Sequence, residues 1–146
     1  MSPAQEQFAR VKRYLARMEK KGATDEDTDD LHSFFLHAWH LTDWASYDPA
    51  FATKNVFDEI TDPIRKCKDI AHRAKHLELT KPPRKAPEIT GKDIRVGLAS
   101  NPISRRPAEA SYIFTFPDGT QRDALELARE VVMEWEVILR RHAIAV

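Results

Sequence analysis

The sequence predicts a mainly α fold: a four-helix antiparallel bundle with a small β-hairpin inserted before the last helix. Apolar residues recur at three- and four-residue steps in four separate segments, the signature of amphipathic helices. Glycine is scarce, with four in 146 residues, which suits helices better than an all-β chain. Between the third and fourth segments the helical period stops, and prolines and short β-branched or aromatic runs replace it. The length fits a single domain, 1–146, able to bury a real core.

The first helix is expected at about 3–21. Ser2 suits the N-cap and Pro3 the first helical position. Phe8, Val11, Leu15 and Met18 form its apolar face, and Gly22 ends it after Lys20 and Lys21. The acidic run Asp25, Glu26, Asp27, Asp29 and Asp30 favours the N-terminus of a second helix, at about 28–46. The run lacks the glycine and the ligand spacing of a calcium loop.

Leu31–Trp44, LHSFFLHAWHLTDW, reads as the central helix, apolar nearly all round. Its polar residues are His37, His40 and Asp43. In a buried helix these need partners, because an unpaired buried polar group costs ~1–3 kcal/mol.

Asp48 and Pro49 break the chain, and 51–60 reads as a short irregular helix carrying Phe51, Val56, Phe57 and Ile60. Asp62 and Pro63 start the third helix, at about 63–79, with Ile64, Cys67, Ile70, Ala71, Ala74 and Leu77 facing the core. The β-element is expected at about 94–121. Its strands are Ile94–Leu98 and Tyr112–Phe116, with a turn at Pro117–Thr120. Gln121–Asp123 either returns as a strand or leads straight into the last helix. The loop 99–110, with Arg105 and Arg106, is the least constrained part. The last helix, at about 123–142, carries Leu125, Ala128, Val132, Trp135 and Leu139 on one face, with Val131 and Ile138 beside them.

Composition excludes several classes. With 23 basic and 23 acidic residues the formal charge is zero, so a chain whose main affinity is for phosphate backbones is not expected, a local patch aside. Cys67 is the only cysteine, which rules out an internal disulfide and a CxxC zinc site. No signal peptide and no membrane span are visible, and a reducing, cytoplasmic location is expected. Cys67 reads as a buried thiol, Trp39, Trp44 and Trp135 as packing residues, and His32 and His142 as ordinary surface or terminal positions.

Chemistry-bearing residues concentrate on the second and third helices. Arg65, Asp69, His72 and His76 recur at four-, three- and four-residue steps and form one stripe on the third helix. If that stripe turns toward His37, His40 and Asp43, the facing helices form a site. One reading is a metal centre, with His37, His40, Asp43, Asp69, His72 and His76 binding a first-row metal such as zinc or iron. Another is a structural network in which His40 donates to Asp43 or Asp69 and fixes the register of the two helices. The segment 65–85 is distinctly basic, suited either to a phosphate backbone or to balancing the acidic run at 25–30.

The bundle outline, together with Arg65 and His72 in an Arg-x6-His spacing, resembles the HEPN superfamily of small helical bundles. Many of these are toxins or host-defence ribonucleases. The resemblance implies RNA cleavage without a cofactor, with Arg65 as the phosphate or transition-state contact and His72 as general acid or base; Asp69 and His76, from the same stripe, complete the candidate catalytic set. It also implies a homodimer, since such sites form across two protomers. Lys66 stands where the family favours a small polar residue. The segments HLTDW and DIAHRAKH are also similar to those of small bacterial helical proteins.

Overall fold

A computed structural model describes residues 1–20, 25–52, 54–76, 88–90 and 112–146, with backbone alone at 25–28, 73–76 and 88–90. It contains the helices α1 (Pro3–Lys20), α2 (Asp25–Ser46), α3 (Asp62–His76) and α4 (Ala124–Arg141). Short 3-10 turns at Pro49–Phe51 and Val56–Asp58 join α2 to α3. Strands β1 (Glu88–Thr90), β2 (Ile113–Thr115) and β3 (Gln121–Asp123) form an antiparallel sheet in the order β1-β2-β3. The expected mainly α bundle, with its β-element before the last helix, is the observed fold.

The starts of α1, α4 and the two 3-10 turns each have a chemical cause. Ser2 and Gln5 form a reciprocal capping box at α1: Gln5 N–H donates to Ser2 Oγ at 3.2 Å and Ser2 N–H donates to Gln5 Oε1 at 3.2 Å. A further α1 donor, the Ala4 N–H, reaches Asp48 Oδ2 at 3.1 Å. Asp48 Oδ1 accepts from Ala50 N–H at 3.0 Å, so one carboxylate caps two elements. Asn55 caps the next 3-10 turn through Phe57 N–H. Asp123 caps α4 by accepting from Glu126 N–H at 3.0 Å, so α4 starts one residue later than the sequence suggested.

The second helix is central by its packing, lying against α1 and α3 and also meeting α4. Leu31, Phe34, Phe35, Ala38, Leu41 and Ala45 are its buried apolar residues, and Thr42 is buried with them. It is not apolar all round: His40 and Asp43 are exposed, so the expectation that they require buried partners is corrected. On α4 the core stripe is Ala124, Leu127, Ala128, Val131, Trp135, Ile138 and Leu139, while Leu125 and Val132 sit at its edge. Buried Trp135 donates its indole N–H to Ala38 O at 3.1 Å and fixes α4 on α2.

The sheet packs on the bundle through Phe114, whose ring meets Phe35 edge-on at 5.2 Å. Gln121–Asp123 does return as a strand. The expected strand Ile94–Leu98, the loop 99–110, and Leu77–Leu79 of the third helix lie outside the described residues. The described partner of β2 on that side is β1, in the register Glu88↔Thr115. Gly119 adopts φ +88° in the turn after β2, a backbone conformation that other residues adopt at a cost of roughly 1–2 kcal/mol. Nothing lies within 4 Å of a Cβ built there, so only the backbone preference is at stake. Gly119→Ala is expected to lower stability by about 1 kcal/mol, measured as a fall in the denaturant midpoint at unchanged m-value.

Candidate functional site

Two surfaces carry the residues singled out by the sequence. On α3, the buried residues Ile64, Cys67, Ile70 and Ala71 define the inward side. Arg65 and Lys68 are exposed, and Asp69 and His72 are half-buried. Arg65 and His72 are seven residues apart on one unbroken helix, hence on nearly the same edge and about 10 Å apart along the axis. His76 is the last residue of α3, and its side chain lies outside the described residues. Lys66 points to the other edge, where it pairs with Asp62 at 2.6 Å and lies 5.1 Å over the Phe116 ring.

The edge of α3 that faces α2 carries an aromatic and cationic group. Lys68 Nζ stands 5.8 Å over the Trp39 ring, and Trp39 meets Phe57 at 6.1 Å. Cys67 is fully buried, its thiol pushed up by burial and directed at Pro63 O at 3.5 Å. A thiol held neutral in this way is a packing group, not a nucleophile.

The second surface lies between α1 and α2. Successive helix residues step by about 100°. Counted from buried Ala38, His37 is therefore displaced to one flank, Trp39 to the other, and His40 lies outward. His37 takes the α1 flank. Its ring stacks on Tyr14 at 5.2 Å with 12° between planes. Buried Gln7 donates its side-chain amide to His37 O at 2.9 Å, and the same nitrogen lies 3.4 Å from His37 Nδ1. Arg10 donates to Gln7 Oε1 at 2.6 Å, and its guanidinium stands 5.7 Å from the Trp44 ring centre. Arg17 stands 5.1 Å over the Tyr14 ring. The His40 ring is 6.5 Å from that of His37, at 86° to it.

Burial lowers the basicity of His37, and the positive charge of Arg10 and the neighbouring His40 lower it further. Each arginine has an acidic partner: Glu6 lies 3.9 Å from Arg10, and Asp30, which is buried, lies 3.7 Å from Arg17.

The comparisons add no relative: the chain matches no family model, no curated protein and no solved structure. The geometry alone therefore bears on each expected site residue. His37 packs against α1 and not, as expected, against α3. Among the described residues, no three of His, Cys, Asp or Glu come together as a metal ligand set. The structure pairs His37 with Tyr14, Gln7 and Arg10, which the sequence reading did not single out. The available signal was Arg10, Tyr14 and Arg17 at four- and three-residue steps on α1, a stripe as regular as the one noted on α3.

Proposed function

We propose that the protein is an RNA-directed, HEPN-like helical module that cleaves RNA without a cofactor, with Arg65 and His72 in the leading roles. The reading is supported by one observation: exposed Arg65 and half-buried His72 share an edge of unbroken α3. A guanidinium gives planar, two-pronged contacts to a phosphodiester. An imidazole exchanges protons near neutral pH. In this chemistry the ribose 2′-oxygen attacks phosphorus and gives up its proton to a base. The 5′-oxygen leaves and is protonated by an acid, yielding a 2′,3′-cyclic phosphate and a 5′-hydroxyl. His72 serves as the base or the acid, Arg65 stabilises the charge that develops on the phosphoryl oxygens, and Asp69, one turn before His72, orients the imidazole. A homodimer supplies the second proton-transfer group from the other protomer, consistent with a small defence-linked protein of the cytoplasm.

The test is hydrolysis of a labelled single-stranded RNA in the presence of a strong chelator. His72→Ala and Arg65→Ala are each expected to reduce the rate by at least about a hundredfold, with unchanged far-UV circular dichroism. Cleavage that survives both substitutions, or that appears only with added metal, overturns the reading.

A further inference from the structure

The connection between α2 and α3 exposes an aromatic side chain that the cleavage reading leaves unused. Phe57, in the turn Val56–Asp58, is 44 % exposed, whereas the chain's six other phenylalanines are buried. A single exposed ring needs no explanation, but a cluster of them does. Phe57 meets the half-buried Trp39 of α2 at 6.1 Å with 61° between planes, and Lys68 of α3 stands 5.8 Å over Trp39. Three elements thus bring two rings and one ammonium to the same place.

We propose that Phe57, Trp39 and Lys68 form a stacking shelf for an unpaired base of single-stranded RNA, with the adjoining phosphate held by Lys68 and Arg65. The choice of an RNA strand rests on the cleavage reading, whereas the stacking chemistry does not. Every nucleobase has a π-face, and aromatic side chains beside cations are the usual means of holding single strands. A duplex keeps its base faces inside the stack, so such a shelf selects unpaired segments. The cations are available. Lys66 is held by Asp62 at 2.6 Å, but among the described residues neither exposed Lys68 nor exposed Arg65 forms an ion pair. Asp43, one turn beyond Trp39, and Asp58, next to Phe57, are exposed carboxylates on the other sides of the shelf. They repel phosphate and so keep the backbone on the α3 side.

Arg65 lies three residues before Lys68 and His72 four residues after it, about 5–6 Å either way along the axis. A nucleotide whose base rests on the shelf therefore carries its phosphate to the edge of α3 assigned to cleavage. Phe57 and Trp39 offer no group that exchanges a proton at neutral pH. They position the strand and leave the chemistry to α3.

The experiment uses the full chain and a labelled single-stranded oligoadenylate with 2′-O-methyl riboses, whose blocked 2′-oxygen cannot attack phosphorus. Fluorescence anisotropy compares it with an abasic strand of equal length and with a duplex. Phe57→Ala is expected to weaken binding of the oligoadenylate about tenfold and to leave the abasic strand and the duplex unchanged. Phe57→Tyr, which keeps the ring, should restore the affinity. Lys68→Gln should lower the slope of log affinity against log salt by about 0.7, the value for one phosphate contact on a single strand. Both substituted residues are exposed, so the fold is not at risk.

No binding by the wild type, or a Phe57→Ala variant that binds the oligoadenylate as the wild type does, overturns the proposal. So does an equal loss on the abasic strand. Self-association lost in Phe57→Ala while RNA affinity stays unchanged would assign the surface to a second copy of this chain. Base-dependent binding of the blocked strand, without cleavage of the matching RNA, leaves the shelf standing and removes the catalytic roles of Arg65 and His72. Cleavage with no base-dependent loss in Phe57→Ala does the reverse.

Discussion

Asp48→Ala is expected to destabilise the protein by about 2–4 kcal/mol at neutral pH. The side chain is 3 % exposed and accepts from Ala4 N–H of α1 and Ala50 N–H of the following turn. Removing it strands two backbone donors in a largely buried place, and each unsatisfied donor costs roughly 1–3 kcal/mol. The bond from Ala50 N–H is also the N-cap of that turn. Asp48→Asn is the informative comparison, because it keeps the shape and one carbonyl oxygen but places an NH2 group where an acceptor is needed. It should cost less than alanine and more than a surface change.

The charge on Asp48 adds a pH dependence of known sign. Burial alone pushes its acidity toward the neutral form, but hydrogen bonds from Ala50 N–H, the Ser2 side chain and Ala4 N–H outweigh this and hold the carboxyl below its ordinary value of 3.8. A carboxyl more acidic in the folded than in the unfolded state contributes stability above about pH 4. That contribution is lost as pH falls through the lower, folded value. The gap in urea midpoint between wild type and Asp48→Asn should therefore be constant at neutral pH and narrow below about pH 4. A gap that widens on acidification would contradict this account of Asp48.

How much was legible follows from the range over which each feature is encoded. The Ser2 cap, the Asp62–Pro63 start and the apolar stripes of α1 and α3 are local, and the sequence carries them in a few adjacent residues. Gln121–Asp123 fits a strand or a helix lead-in equally in sequence, because three residues hold too little periodicity to separate the two. The orientation of α2 was harder. A wide apolar stripe tells which side is buried but not which neighbour lies on which flank, and His37 and Trp39 differ by only two residues while serving α1 and α3. Asp48 was legible only as a break, because its partner Ala4 stands 44 residues away.

The same long range hides a second polar contact, at His142, which the sequence marked as an ordinary terminal position. Glu59 accepts from Arg141 Nη1 at 3.0 Å and lies 2.6 Å from His142 Nε2, 83 residues away in sequence. The His142 side chain is 9 % exposed, and its ring packs on Phe51 at 3.9 Å. Its backbone N–H closes the end of α4 on Arg140 O and Leu139 O. One carboxylate thus ties the C-terminus of α4 to the connection between α2 and α3. Burial opposes ionisation of Glu59, while hydrogen bonds and positive charge from Arg141 and His142 outweigh it and hold the carboxyl below 4.5. Its contribution, like that of Asp48, is present above about pH 4.5 and lost as pH falls through the folded value, so the two groups steepen the same acid limb. Glu59→Ala is expected to cost about 2–3 kcal/mol, because it leaves the nearly buried His142 nitrogen without its acceptor. Most of that cost should come from His142, since Arg141 is 56 % exposed and water replaces its partner. A double-mutant cycle of Glu59→Gln with His142→Gln should therefore give a coupling of about 1–2 kcal/mol, and the cycle with Arg141→Gln less than about 1 kcal/mol. Equal couplings in the two cycles would show that exposure does not separate the two contacts, and the assignment of the clamp to His142 would fail.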